Sequence, residues 1–194
     1  MSQRDEVHTE ELNGYKIAIL QDSYYESPRD WDNLGTMVCW HRRYNLGDKH
    51  SFSEPSDFLE WKKRHDVIVL PLYLYDHSGI TISTGPFSCP WDSGQVGYIY
   101  VEKDKVRKEW GWKAITKKRE ERIKQALKQE VSTYDDCLTG NVYGYIVSRG
   151  DEELDSCWGF YGDYRTSGIL EQARASVKYE EKKALPLLEH GGLL

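Results

Sequence analysis

Apolar residues fall into two patterns along the chain, short strand-like runs and longer helical repeats. Runs rich in aromatic and β-branched residues and bounded by turn residues predict strands at 15–20, 35–42, 67–75, 80–83, 95–101, 142–147 and 157–161. Residues 67–75 are apolar almost throughout, which predicts a central strand, and Pro71 within them implies a bulge or a free edge on one side. The turn residues 76–79 predict an antiparallel hairpin with the strand that follows.

The longest helical repeat predicts a helix from about Thr116 to Gly140, with one apolar face made of Ile123, Leu127, Val131, Tyr134 and Leu138. Shorter helices are predicted at 56–64, capped by Ser53 or Ser56, at 102–110, ended by Gly111, and from Ile169 onward. This order of elements favours an α+β fold, a mainly antiparallel sheet with one long helix and two or three shorter helices packed on it. We expect residues 1–194 to form a single globular domain, flexible at 1–13 and 185–194.

Charge is distributed unevenly along the sequence. Residues 103–128 hold eleven Lys/Arg against four Asp/Glu, a local net of +7, so the remainder of this −6 chain carries −13. We call residues 103–128 the basic stripe. The longest apolar run covers nine residues, 67–75, well short of the roughly 20 needed to span a bilayer. We therefore expect a cytoplasmic protein with no membrane partner, whose four cysteines are reduced.

Several residues could carry enzymatic chemistry. Cys89 lies close in sequence to Asp92 and follows His77, so a thiol, a base and a carboxylate could meet in a small cysteine-dependent enzyme; an inert, packed cysteine is the alternative. Zinc could be bound by a set drawn from Cys39, His41, His50, His77 and Cys89, of which Cys39 and His41 are the one short-spaced pair. Magnesium or calcium could be bound by acidic loop residues, Asp22, Glu26, Asp30, Asp32, Asp48 and Asp92, although Asp is also a common turn former.

We predict neither a bound metal nor a cofactor, because most of these candidate ligands are unpaired singles. The motifs GxxxxGK[ST], GxGxxG, GxSxG and HExxH are absent from the sequence, which weakens nucleotide-driven and common hydrolytic functions.

The basic stripe could instead bind nucleic acid. Lysine and arginine neutralise phosphates and aromatic rings stack on bases, and the stripe combines Trp110 and Trp112 with Lys113, Lys117, Lys118, Arg119 and Arg122. Two features oppose this hypothesis: the acidic remainder would repel a polyanion, and Arg119 could simply pair with the neighbouring Glu120 and Glu121.

A protein partner is the hypothesis that we rank first. Exposed tryptophans would anchor it and acidic charge would steer it, and the candidate contact residues are Glu26, Asp30, Trp31, Asp32, Trp91 and Asp92. Trp31 and Trp91 are each followed directly by an Asp, so this repeated pair marks the predicted surface.

Three segments together resemble a family of small, functionally unassigned proteins of bacteriophages and other mobile elements. They are SPRDWDNLGTMVCWHRRYNLGD (27–48), YDHSGITISTGPFSCPWDSGQVGYIYVEKDKVRKEWGWK (75–113), and YDDCLTGNVYGYIV with DSCWGFYGD (134–163). The resemblance assigns no activity or catalytic residue. It implies an accessory protein acting on host machinery in the bacterial cytoplasm.

Combined with the acidic charge, this resemblance favours binding to a host protein with a basic surface, such as a defence nuclease inhibited in the anti-CRISPR or antirestriction manner. The alternatives are a small cysteine- or metal-dependent enzyme and a nucleic-acid-binding module that uses the basic stripe.

Overall fold

The structure is a computed structural model that describes residues 5–189, and the side chains of 5–183. Its elements are β1 (Glu6–Leu12), β2 (Tyr15–Gln21), a short 3₁₀ helix (Pro28–Asp30), β3 (Thr36–Cys39), α1 (Pro55–Lys62), β4 (Val67–Asp76), β5 (Ile80–Ser83), β6 (Ser93–Glu102), α2 (Lys103–Trp110), α3 (Lys117–Thr139), β7 (Val142–Arg149), β8 (Glu152–Tyr161) and α4 (Ile169–Glu189). The α+β prediction is confirmed, with the strands forming two antiparallel sheets instead of one.

The chain divides into two compact units. Residues 1–26 and 140–194 form one, called here the terminal unit, and residues 27–139 form the other, the central unit. Whether they fold as the single domain expected from the sequence stays a prediction. None of the described helices is both long and apolar enough to cross a membrane.

In the terminal unit the strand order is β1-β2-β7-β8, and α4 covers one face of the sheet. Ile169, Ala173 and Val177 of α4 are fully buried, and they pack on the inward-facing residues of β2 and β7. Positions four residues apart lie on one side of a helix, and alternate strand residues share a face, so this core follows from the apolar pattern.

Strand β1 was not predicted, since residues 1–13 were expected to be flexible. It pairs with β2 through a turn in which Asn13 and Gly14 both have positive φ, the geometry that an Asn-Gly hairpin favours. Arg174 of α4 donates two hydrogen bonds of 2.7 Å to Glu10 and so ties β1 to the helix. Residues 1–4 and 190–194 of the segments expected to be flexible lie outside the described residues, and 185–189 belong to α4.

In the central unit the strand order is β3-β6-β4-β5, so β4 is central as predicted. Pro71 pairs with β6 on one side, while β5 pairs with β4 from Tyr73 onward. The other side of the proline is therefore a free edge. Among the described residues, no neighbouring strand there needs the N–H donor that proline lacks.

The two faces of this sheet carry different cores. Ile99 and Val101 of β6 face the apolar side of α3, whereas Tyr98 and Tyr100, which alternate with them, face α1. Phe58 of α1 is fully buried, with its ring centroid 5.0 Å from that of Tyr98.

Three local predictions differ from the structure. Strand β3 ends at Cys39 and not at Arg42, since residues 40–43 leave the sheet. Helix α1 begins with Glu54 and Asp57 in a reciprocal capping box instead of a serine cap. Strand β8 begins at Glu152, five residues before the strand predicted at 157–161.

Candidate functional site

Four bases of the basic stripe are neutralised by ion pairs. Lys103 and Arg107 both contact Asp66, and within the stripe the pairs are Arg107 with Asp104, Lys105 with Glu109, and Lys124 with Glu120 and Glu121. All four acids of the stripe are therefore engaged by Lys105, Arg107 and Lys124. Seven of its eleven bases have no acidic partner among the described residues.

Five of these seven bases lie between residues 113 and 122, directly after two tryptophans in the sequence, and two of the five contact the indole rings. We call this group the basic patch: Lys113, Lys117, Lys118, Arg119 and Arg122 with Trp110 and Trp112. The two indole rings meet edge to face with their centroids 4.7 Å apart. The Arg119 guanidinium lies 4.7 Å from the Trp112 ring centroid, and that of Arg122 lies 5.7 and 5.8 Å from the two rings. Lys113, Lys117, Lys118 and Arg122 are exposed.

The chain builds this patch at the junction of α2 and α3. Gly111 adopts a left-handed conformation (φ 67°) that ends α2 and turns Trp112 back beside Trp110. Both indoles are half-buried against the core of the central unit, so the core fixes their position. Arg119 and Arg122, three residues apart in α3, reach the rings from one face of the helix.

The expected pairing of Arg119 with Glu120 and Glu121 is wrong. Residues one or two apart do not face each other on a helix, so both acids reach Lys124 at the i+4 and i+3 positions. Arg119 instead donates a 2.7 Å hydrogen bond to the carbonyl of Ala114.

Charge also separates between the two units. The central unit holds 18 Lys/Arg against 17 Asp/Glu, a net of +1, while the terminal unit holds 8 against 15, a net of −7. The −13 of the remainder is therefore shared almost equally, with −7 in the terminal unit and −6 in the part of the central unit outside the basic stripe. The unit that carries the basic patch is therefore nearly neutral overall, and five of its bases without an ion-pair partner among the described residues belong to the patch.

A second region of interest lies at the other end of β6. A cavity of about 470 Å³, called here the Trp91 groove, is lined by residues 40–43, Leu74, Asp76 and residues 91–96. Trp91 is 91% exposed at this groove. Arg43 forms an ion pair with Asp76, which also accepts a 3.2 Å hydrogen bond from the Tyr44 hydroxyl.

The thiol candidates meet next to this groove. One carboxylate oxygen of Asp92, Oδ2, lies 3.6 Å from the Cys89 sulfur and 3.4 Å from Nδ1 of His77. The three side chains are thus together, but the carboxylate lies between thiol and imidazole. A cysteine nucleophile is usually activated by direct contact with its base, so this order gives the enzyme hypothesis no added support.

The composite metal sites are not assembled. Within the described residues, no three His, Cys, Asp or Glu side chains are grouped to hold a metal ion. Burial, with a smaller contribution from Asp48, raises the pKa of Cys39 to about 12, and His50 contacts the Cys39 carbonyl oxygen at 3.2 Å. Asp22 is buried and accepts a hydrogen bond from the Tyr24 N–H, as a turn-forming aspartate does.

The two Trp-Asp pairs do not form one surface. Trp31 is 45% exposed and lines a separate cavity of about 290 Å³ against α3, whereas Trp91 lines its own groove. Asp30 and Asp32 are exposed beside Trp31, and Glu26 is exposed in the terminal unit.

Arg29 was not predicted from the sequence, and it is the most buried charged group of the central unit for which an ion pair is described. Its side chain, 5% exposed, donates two hydrogen bonds to Asp48, of 2.9 and 2.6 Å, one of 3.2 Å to Glu130, and one of 2.8 Å to the Gly35 carbonyl. Glu130 in turn accepts from the backbone N–H of Leu34 at 2.8 Å. A lone arginine in an acidic loop was the available signal, but its partner in α3 lies 101 residues away.

Comparisons of the chain with models of protein families, with curated proteins and with solved structures find no match.

Proposed function

We propose that the protein binds single-stranded nucleic acid through the basic patch. The observation that supports this proposal is the sorting of charge in the basic stripe, in which all four acids are engaged by bases outside the patch. Five unpaired cations beside two tryptophans provide an electrostatic contact for phosphates and rings for stacking.

The aromatic component favours a single strand over a duplex. Bases of a single strand can stack on an indole or on a guanidinium plane, and they are unavailable for such stacking inside a duplex. The arginines already lie over the indoles, so a base would extend an existing stack. Phosphate contacts from Lys113, Lys117 and Lys118 would be independent of base sequence.

Fluorescence anisotropy with a labelled oligothymidine at low salt tests the proposal. The double variant Lys117→Ala/Lys118→Ala is expected to bind roughly tenfold more weakly or worse, because each lost phosphate contact removes counterion release. The matched control is Lys178→Ala/Lys182→Ala, which removes the same charge from exposed lysines of α4. Equal weakening by both pairs, or no binding by the unaltered protein, would reject the proposal.

A host-protein partner is the second candidate function. It is supported by the net charge of −7 on the terminal unit, which would attract a basic surface such as that of a defence nuclease, and by the exposure of Trp91. The implied cytoplasmic location in a bacterial host belongs to the same proposal.

Pull-down of candidate defence nucleases by the whole chain tests this second candidate. Recovery should survive digestion of nucleic acid and persist in the Lys117→Ala/Lys118→Ala variant. Recovery that disappears after digestion would mean that nucleic acid bridges the two proteins, and it would count against a direct protein contact.

A further inference from the structure

In the central sheet, aspartates hydrogen-bond to the outer edges of β3 and β5, but part of the inner strand β6 has no strand partner on one side within the described residues. The edge of β3 is covered by Asp48, whose N–H donates to the Met37 carbonyl and whose carboxylate accepts from the Met37 N–H, both at 2.8 Å. The edge of β5 is capped by Asp135 of α3, which accepts a 2.7 Å bond from the Ile82 N–H. Capping of this kind keeps unpaired strand edges from recruiting other chains.

The first residues of β6 lack such cover. Strand β3 pairs with β6 from Gly97 to Tyr100, and the last contact between the two segments is the Trp40 N–H bonded to the Val96 carbonyl at 2.8 Å. Beyond that point, no strand of the described chain pairs with residues 93–95 on the side away from β4. These residues form the floor of the Trp91 groove.

Two glycines of β6 differ in the space around them. A methyl group added at Gly97 would lie 2.0 Å from the Val38 carbonyl oxygen, because β3 passes directly against it. A methyl group added at Gly94 would meet no atom within 4 Å, and Gly94 and Gln95 are both exposed. A side chain at Gly94 would therefore point into open space, and the open edge itself is shown by the lack of a partner strand for residues 93–95 among the described residues.

The rim of the groove carries one free positive charge. The Arg42 side chain is exposed and has no ion-pair partner among the described residues, while Arg43 is bound to Asp76. His41 accepts hydrogen bonds at Nδ1 from the N–H groups of Arg43 and Tyr44, which leaves Nε2 as the ring nitrogen able to donate to a ligand. Asp92 is engaged by His77 and Cys89.

We propose that the Trp91 groove binds an extended acidic peptide of a partner protein, which adds to β6 as a strand in the place that β3 vacates. Residues 93–95 offer about 10 Å of strand for backbone pairing. Arg42 binds a carboxylate of the peptide, and the exposed Trp91 indole covers an apolar side chain next to it. This site is separate from the basic patch and does not depend on nucleic-acid binding.

The test uses a displayed library of random peptides, selected on the immobilised whole chain, with selected peptides resynthesised and titrated. The selected peptides are expected to share an Asp, a Glu or a free C-terminal carboxylate within an extended, β-branched sequence. Gly94→Val fills the groove and Arg42→Ala removes its free charge, so each should weaken binding at least tenfold. Gly85→Val is the matched control, since the nearest atom to its added methyl is 4.0 Å away.

Gly94 does not have a positive φ and a side chain there meets open space, so Gly94→Val should match the unaltered protein in its urea midpoint. The proposal would be overturned if the immobilised unaltered chain enriched no more peptides than an immobilised Gly94→Val chain. It would also be overturned if the selected peptides bound the unaltered and the Gly94→Val chains with equal affinity. A labelled oligonucleotide that binds the unaltered chain, displaces the selected peptides and binds Gly94→Val weakly would also overturn it, in favour of a nucleic-acid groove.

Discussion

Replacing Arg29 by methionine should strongly destabilise the central unit. The change keeps most of the apolar stem but removes a guanidinium that is 5% exposed and donates four hydrogen bonds. The carboxylates of Asp48 and Glu130, 21% and 16% exposed, would then remain without their shared cation. Removing one partner of a buried ion pair costs about 3–5 kcal/mol, because the remaining charge stays desolvated and unpaired.

Urea unfolding followed by circular dichroism measures this effect. If the free energy of unfolding falls by about 4 kcal/mol and decreases by ~2 kcal/mol per molar urea, the urea midpoint falls by about 2 M. Lys63→Ala is the control, because Lys63 and Glu60 form a solvent-exposed pair whose loss should leave the midpoint almost unchanged. Arg29→Lys, which keeps the charge but loses the bidentate geometry, should fall between the two. A midpoint for Arg29→Met equal to that of Lys63→Ala would refute the reasoning.

Three further predictions concern burial. Phe58→Ala should cost about 3–5 kcal/mol in urea unfolding, because a fully buried ring leaves a cavity against α1; a cost below that of Lys63→Ala would contradict the described packing. Cys39, with its pKa near 12, should resist iodoacetamide at pH 8 until the chain unfolds, as peptide mass mapping would show. Burial and a hydrogen bond to Asp155 raise the pKa of Tyr145 from 10.0 to about 12, so the folded state holds this proton more tightly. Its contribution to stability is full below pH 10 and is lost between pH 10 and 12, and Tyr145→Phe should flatten that part of the urea-midpoint profile.

Regular apolar patterns accounted for most of the fold. The 3- and 4-residue spacing in α3 and the continuous apolar run of β4 both specify burial directly, and both elements lie where they were predicted. Strand β1 was missed because its glutamates, at positions 6, 10 and 11, hide the alternation of a half-exposed edge strand. The Asn13-Gly14 turn that follows was the available signal for a hairpin partner.

The candidate sites were less predictable, because they depend on contacts between distant residues. Helical spacing alone could have assigned Glu120 and Glu121 to Lys124 and left Arg119 unpaired. The position of Trp112 beside Trp110 required the turn at Gly111, and the Trp91 groove required β3 to leave the sheet at Cys39. The Arg29 network joins a loop to α3 across 101 residues, which no local pattern encodes.

The salt dependence of oligothymidine binding tests the central proposal most directly. Affinity for a single strand falls by about 0.7 log units per log unit of salt concentration for each phosphate contact. Five patch cations therefore predict a slope of log affinity against log salt of about −3.5. Lys117→Ala/Lys118→Ala should reduce that slope to about −2, while Lys178→Ala/Lys182→Ala should leave it unchanged. An unchanged slope in the patch variant, or no binding at low salt, would contradict the assignment of the basic patch as a nucleic-acid site.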